Sequence, residues 1–202
     1  MTLPDRIALA THNAHKLREL ARICAAWPVD WVTVENRDPA DFPDVDETGE
    51  TYLDNASLKA RAVASALGLP ALADDSGIEV DALGGRPGPR SARFAGEHAS
   101  DAENLKALIQ GIRGVPAAGR SGRYRCVAAL ATPDGEMVHA EAVCEGTLRT
   151  TPAGSGGFGY DPIFVPVGWD RTMAELTDEQ KDRISHRGRA FRALLEILEG
   201  DA

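Results

Sequence analysis

Cysteine is scarce in this chain: Cys24, Cys126 and Cys144 are the three in 202 residues. No two form a C-x-x-C pair, and none groups with the five histidines at zinc-like spacing. That pattern argues against a disulfide framework, a dithiol redox pair or a structural zinc site. Their neighbours are apolar, so reduced thiols packed in a core are expected. Long apolar runs are also missing, which excludes a membrane-spanning helix, and the start MTLPDRIALATHN has no signal-peptide core of useful length. A cytoplasmic location follows as the expectation. Positive charge is in deficit, with 22 Lys+Arg against 31 Asp+Glu and a formal net charge of -9. Neither a basic stripe nor a like-charge block is present, so neither nucleic acid nor a membrane is expected as a partner. An acidic protein that handles phosphates needs a divalent cation or a very local basic pocket.

What is present is a core-forming composition, 43% hydrophobic, in a chain without internal repeat, linker or low-complexity tail. One domain over residues 1–202 is expected. Ile7 to Ala10 reads as a buried strand. Leu17, Leu20, Ala21, Cys24 and Trp27 then recur at helical spacing, with Asn13 as cap and Pro28 as stop. A second helix carries Leu53, Ala56, Ala60, Val63, Ala64 and Leu67 on one face and stops at Gly68-Leu69-Pro70. Ala71 to Ala73 reads as a brief strand running into Asp74-Asp75-Ser76-Gly77, and Ile78 to Leu83 alternates again. Asp101 to Ile112 reads as a third helix. Tyr124 to Thr132 and Met137 to Leu148 read as strands joined by the hairpin turn Pro133-Asp134-Gly135. Thr177 to Gln180 resembles a capping box, and Ile184, Phe191, Leu194, Leu195 and Leu198 make the last helix amphipathic. Alternating helices and strands define an α/β class.

Four polar clusters break this apolar frame. Thr11-x-Asn13-x-x-Lys16 stands at a strand-to-helix junction, where unpaired N–H groups and the helix dipole favour an anion; a helix cap with a solvated lysine explains it equally well. Asp74-Asp75-Ser76-Gly77 offers carboxylates that in an extended chain point to opposite sides, so at most one aims into a given cleft. It reads either as hard-cation ligands and a water-polarising base or as an Asx-type turn closed by Gly77. Asp44, Asp46 and Glu47 form either a solvated loop or further oxygen ligands for Mg²⁺. Phe158-Gly159-Tyr160-Asp161, Lys181 and Ser185-His186-Arg187-Gly188 combine an aromatic platform with cationic donors suited to phosphate oxygens or a base carbonyl. The phosphate loop G-x-x-x-x-G-K-[ST] and the nucleophile elbow G-x-S-x-G are absent, and no cysteine sits beside a histidine, so covalent catalysis has no candidate. The combination left describes a nucleotide phosphate hydrolase.

Six segments together go further. T-x-N-x-x-K (11 to 16), E-T-G (47 to 49), A-D-D-S-G (73 to 77), L-G-G-x-P-G-x-x-S-A-R (83 to 93), G-x-G-G-F-G-Y-D-P (154 to 162) and K-x-x-I-S-H-R-G (181 to 188) stand in order along nearly the whole chain. In this the sequence resembles the inosine triphosphate pyrophosphatase family. The resemblance implies an α/β fold with a mixed central sheet flanked by helices, and two lobes with the active-site cleft between them. It also implies a homodimer and Mg²⁺-dependent hydrolysis of ITP, dITP and XTP to the monophosphate plus pyrophosphate. Carried over by position, Thr11, Asn13 and Lys16 grip the triphosphate. Asp75 becomes the metal-linked general base, Glu47 a metal ligand, and Ser76 a substrate contact. Phe158 stacks on the base within Phe158-Gly159-Tyr160-Asp161, while Lys181, His186 and Arg187 bind base and phosphate. The same F-G-Y-D and S-H-R motifs argue against a Maf-like pyrimidine nucleotide pyrophosphatase. Intact Asp75, Glu47 and Lys16 argue against a catalytically silent nucleotide-binding module.

Overall fold

A computed structural model describes residues 1–200. The strands β1 (Arg6–Leu9), β2 (Asp30–Val32), β3 (Ala71–Val80), β4 (Ser121–Ala131), β5 (Met137–Leu148) and β6 (Phe164–Pro166) join one sheet in the order β2-β1-β3-β4-β5-β6. Strand β1 runs parallel to β2 and β3, and β5 pairs antiparallel with β6. The sheet is therefore mixed, and with helices α1 (Ala14–Ile23), α2 (Tyr52–Leu67), α3 (Asp101–Ile112), α4 (Asp178–Ile184) and α5 (His186–Glu199) the fold is α/β as expected. The chain forms two compact units: residues 1–75, 126–142 and 187 onward, and residues 76–125 and 143–186.

In the first unit both faces of the parallel strands are buried, as parallel sheets require. Ile7, Leu9 and Leu72 face a cluster with Leu17 and Leu20 of α1 and Phe191 and Leu194 of α5. One residue along, Ala8, Ala10, Ala71 and Ala73 face Ala60, Val63 and Ala64 of α2. The small side chains on that second face let α2 lie close to the sheet. The second unit packs Ile78 and Val80 of β3 against Leu108 and Ile112 of α3, with Cys144, Leu148, Ile163 and Phe164.

Three expectations are corrected. Asp74-Asp75-Ser76-Gly77 is neither a turn nor a strand end: β3 runs without a break from Ala71 to Val80. Turn-forming composition is overridden here because both carboxylates find cationic or amide partners, described below. The alternation from Ile78 ends early, since Asp81–Leu83 is a single 3-10 turn closed by Gly84 at φ 65°. Ile184, read with the last helix, closes α4 instead: Ser185, with its extended backbone (φ -64°, ψ 153°), separates α4 from α5, and α5 presents His186 and Arg187 in its first turn. The expected helices at 101–112 and from Ala14 agree with the structure, Asn13 included as cap. All three cysteines are free and buried. Among the described residues no helix is long and apolar enough to cross a membrane.

Candidate active site

The first unit gathers one group of candidate residues around the two adjacent carboxylates of β3. Strand alternation sends Asp74 to the face covered by α1 and α5, and Asp75 to the face covered by α2. Asp74 Oδ2 accepts from Arg187 Nε and Nη2, both at 3.2 Å, and pairs with Lys16 Nζ at 3.2 Å. Lys16 also donates to the Asp74 carbonyl at 3.3 Å. Arg187 Nη1 pairs with Glu19, one turn along α1 from Lys16. Burial works against charge on Asp74, yet Lys16, Arg187 and Lys59 hold its carboxyl well below the usual carboxylate range.

Asp75 behaves in the opposite sense. Its Oδ2 accepts from the Asn55 amide at 3.1 Å, and its Oδ1 lies 3.8 Å from Lys59 Nζ, both residues on α2. The same ammonium stands 2.5 Å from Glu47 Oε1. Burial pushes the Asp75 carboxyl above its ordinary value; Lys59 and Lys16 pull it down, and Glu47 adds to the rise. A carboxyl whose hold on a proton is raised in this way, at a cation-facing position, is suited to accepting a proton. Glu47 and Asp75 thus face one cation from two segments. No group of three or more His, Cys, Asp or Glu stands at metal-holding spacing among the described residues. Two carboxylates are nevertheless a sufficient protein share for a hard cation that also takes phosphate oxygens.

Local chain geometry explains why these groups meet. Asn13 caps α1, its Oδ1 accepting from the N–H groups of His15 and Lys16 at 2.9 and 3.2 Å, while Asn13 N–H donates to Thr11 Oγ1 at 3.1 Å. The cap reading of this stretch is therefore what the backbone shows, with Thr11 half-buried and Asn13 exposed beside the helix N-terminus. Gly49 of the E-T-G segment passes so close to α2 that a Cβ there would lie 2.4 Å from Asp54 Cβ and 2.7 Å from Asn55 Oδ1. Only glycine lets Glu47 approach the helix in this way. Ser76, the next residue of β3, is half-buried.

The second unit holds the aromatic group. Phe158 N–H donates to Asp161 Oδ2 at 2.9 Å, and the same oxygen takes Lys181 Nζ at 2.6 Å. That ammonium also lies 5.1 Å from the centre of the Phe158 ring. Gly157 has φ 67°, and a Cβ there would fall 2.0 Å from Asp161 Oδ2, so the tight turn demands glycine. Gly159 N–H donates to Asp101 Oδ2 at 3.1 Å. His186, at the start of α5, stacks on Tyr124 with ring centres 4.6 Å apart and planes within 6°.

Two residues carried over as substrate contacts have different surroundings from those expected. Arg187 is fully buried, with Nε, Nη1 and Nη2 all engaged by Asp74 and Glu19. Tyr160 sits in the core, its hydroxyl donating to the Ser91 carbonyl at 2.7 Å, and its phenol is held above its ordinary pKa by burial and by Asp101. In this structure Arg187 forms buried ion pairs and Tyr160 packs in the core. Sequence reading missed Glu19, Asn55 and Lys59. Asn55 left a signal, since it is a polar residue set into the otherwise apolar buried face of α2, with Lys59 one turn on.

This is a mixed-sheet α/β protein whose polar groups are organised around paired carboxylates and lysines. A family model described as the Ham1 family matches residues 7–197, and the chain belongs to that family. A dITP/XTP pyrophosphatase of Streptomyces coelicolor is 51% identical over 195 residues, covering 96% of this chain and 96% of its own. One of Geobacillus kaustophilus is 47% identical over 193 residues, covering 96% and 94%. Among structures, a HAM1 protein from Coxiella burnetii superposes with a TM-score of 0.85 at 37% identity, covering all of both chains.

Proposed function

We propose that this protein is a nucleoside triphosphate pyrophosphatase. It hydrolyses ITP, dITP and XTP to the monophosphate plus pyrophosphate, and so removes deaminated purine nucleotides before they enter DNA or RNA. The observation that carries the reading is Asp75: a buried carboxylate with a raised pKa, oriented by an amide, facing Glu47 across a lysine. Relatives of near full length named dITP/XTP pyrophosphatase support the substrate class.

Each residue then has a task. Thr11, Asn13 and Lys16 hold the triphosphate at the N-terminus of α1. Glu47 and Asp75 hold Mg²⁺, which when bound supplies charge neutralisation on the phosphate oxygens. Asp75 takes a proton from the attacking water at Oδ1, and Lys59 balances the negative charge gathered there. Ser76 contacts the substrate beside it. Phe158 stacks on the purine, its turn locked by Asp161 and Lys181 beside Gly159 and Tyr160. His186 donates to the 6-oxo group of hypoxanthine or xanthine. Adenine's 6-amino group leaves that donor unpaired, a mismatch that sites of this kind turn into discrimination of roughly 10⁴-fold at best. Arg187 holds Asp74 and, through it, Lys16. Residues 1–202 act as one functional domain, as a homodimer in the cytoplasm.

A panel of triphosphates with product identification tests this. With Mg²⁺, pyrophosphate is expected from ITP, dITP and XTP at rates at least about 10²-fold above ATP. Orthophosphate as the first product defeats the mechanism, and equal rates on all purines defeat the specificity. Lys16→Ala is expected to raise KM for ITP by about tenfold, the loss of one charge-assisted contact; an unchanged KM returns the α1 N-terminus to being a cap only.

A further inference from the structure

We infer that Asn55 is a positioning residue for this reaction: one amide orients the Asp75 carboxylate and ties down the backbone that carries Glu47. The inference rests on the pyrophosphatase reading and adds to it a residue in contact with neither the substrate nor the reacting atoms. Asn55 is 0% exposed. Its place in the first turn of α2 is fixed from outside the site by a capping box. Thr51 Oγ1 accepts from Asp54 N–H at 3.1 Å, and Thr51 N–H donates to Asp54 Oδ2 at 3.0 Å. From there the side chain faces two different partners. Its Oδ1 accepts from Gly49 N–H at 2.8 Å, and its Nδ2 donates to Asp75 Oδ2 at 3.1 Å.

The orientation of the amide follows from chemistry. A backbone N–H only donates and an ionised carboxylate only accepts, so oxygen must face Gly49 and nitrogen must face Asp75. No other side chain of this size offers an acceptor and a donor in that arrangement. Aspartate would set a second carboxylate against Asp75, and leucine would leave Gly49 N–H and Asp75 Oδ2 buried without these bonds. With Oδ2 held by a neutral donor, the plane of Asp75 is set and Oδ1 is the oxygen turned to Lys59 and Glu47. Gly49 lies two residues beyond Glu47, so the same amide fixes the approach of both carboxylates. Sub-ångström placement of a base commonly decides about two orders of magnitude in rate.

The test uses Asn55→Asp, which keeps shape and the Gly49 acceptor, and Asn55→Ser, each alone, with Asn55→Ser also placed in an Asp75→Asn background. Melting temperature, kcat and KM for ITP, and calorimetric ITP affinity in the Asp75→Asn pair are measured. The expected result is a folded variant with kcat down about 10²-fold and KM within about threefold. In the Asp75→Asn background Asn55→Ser should cost far less than the roughly 10²-fold it costs alone and leave ITP affinity within about threefold, because the base is already gone and only the Gly49 tie that steadies Glu47 is left to lose. Folded variants with near wild-type kcat overturn the inference, as does a full 10²-fold loss added to that of Asp75→Asn. If neither variant folds, Asn55 is structural and the inference falls. Wild-type protein that releases no pyrophosphate from ITP, dITP or XTP strikes the pyrophosphatase reading itself, an outcome seen without any variant.

Discussion

Asp75→Asn is expected to lower kcat on ITP by about 10³- to 10⁴-fold while KM stays within about threefold. The substitution keeps the shape of the side chain, so Asn55 Nδ2 still finds an oxygen and Gly49 stays tied through Asn55 Oδ1. Lys59 keeps Glu47, and the proposed phosphate grip at the α1 N-terminus is untouched. What disappears is the group proposed to accept a proton at Oδ1, and one of the two proposed anionic ligands. Melting temperature supplies an independent reading. Burial, with Glu47 nearby, raises the Asp75 carboxyl above its ordinary value, so the fold disfavours the ionised form. Below the unfolded value near pH 4 both states are protonated and this penalty is absent. It grows as pH rises towards the folded value and is fully present above it. A neutral amide escapes it, and Asp75→Asn is expected to melt at or on the order of 2 °C above wild type at pH 7. A variant with kcat within tenfold of wild type moves the base elsewhere, with Asp74 first in line. One that melts far lower makes Asp75 a structural residue.

How much of this was legible in sequence depended on whether a residue's partner was local. Asn13 could be read as a cap because its partners, His15 and Lys16, lie within three positions. The helices at 52–67 and 101–112 were legible from apolar spacing and their stops. The Asp74 to Gly77 stretch stayed open between a site and a turn because what keeps it extended comes from far along the chain: Arg187 is 113 residues from Asp74, and Asn55 is 20 from Asp75. Opposite pointing of the two carboxylates did follow from strand geometry, but which helix each would meet did not. Arg187 shows the same limit. Its motif suggested a substrate donor, and only the fold reveals that Asp74 and Glu19 engage its guanidinium. Lys59 was hidden for another reason, since a lysine on an amphipathic helix is read as solvated until a loop brings Glu47 to it.

The buried cluster around Arg187 carries the largest expected effect on stability. Arg187→Ala should lower the melting temperature by about 10 °C, from a loss of roughly 3–5 kcal/mol. The size follows from what is left behind. Asp74 and Glu19 are both buried, and both accept from this guanidinium. Without it Asp74 retains Lys16 at 3.2 Å, whereas Glu19 loses a cationic partner that helps to offset its desolvation. The pH dependence separates this cause from loss of packing volume. Although burial alone would raise it, the Asp74 carboxyl is held below its ordinary range by Lys16, Arg187 and Lys59. A depressed acid contributes stability that is complete above the unfolded value, near pH 4, and is lost as pH falls through the lower folded value. The gap between wild type and Arg187→Ala should therefore be widest near neutral pH and narrow as the solution is acidified, because carboxylates that have lost the guanidinium take up protons at higher pH than they do in wild type, as read by thermal unfolding from about pH 7 to pH 3. A gap that stays constant down to pH 3 assigns the loss to packing. Arg187→Lys tests the fork itself: it keeps the charge but cannot reach Asp74 and Glu19 together in the plane the guanidinium spans, and it should recover less than half of the loss.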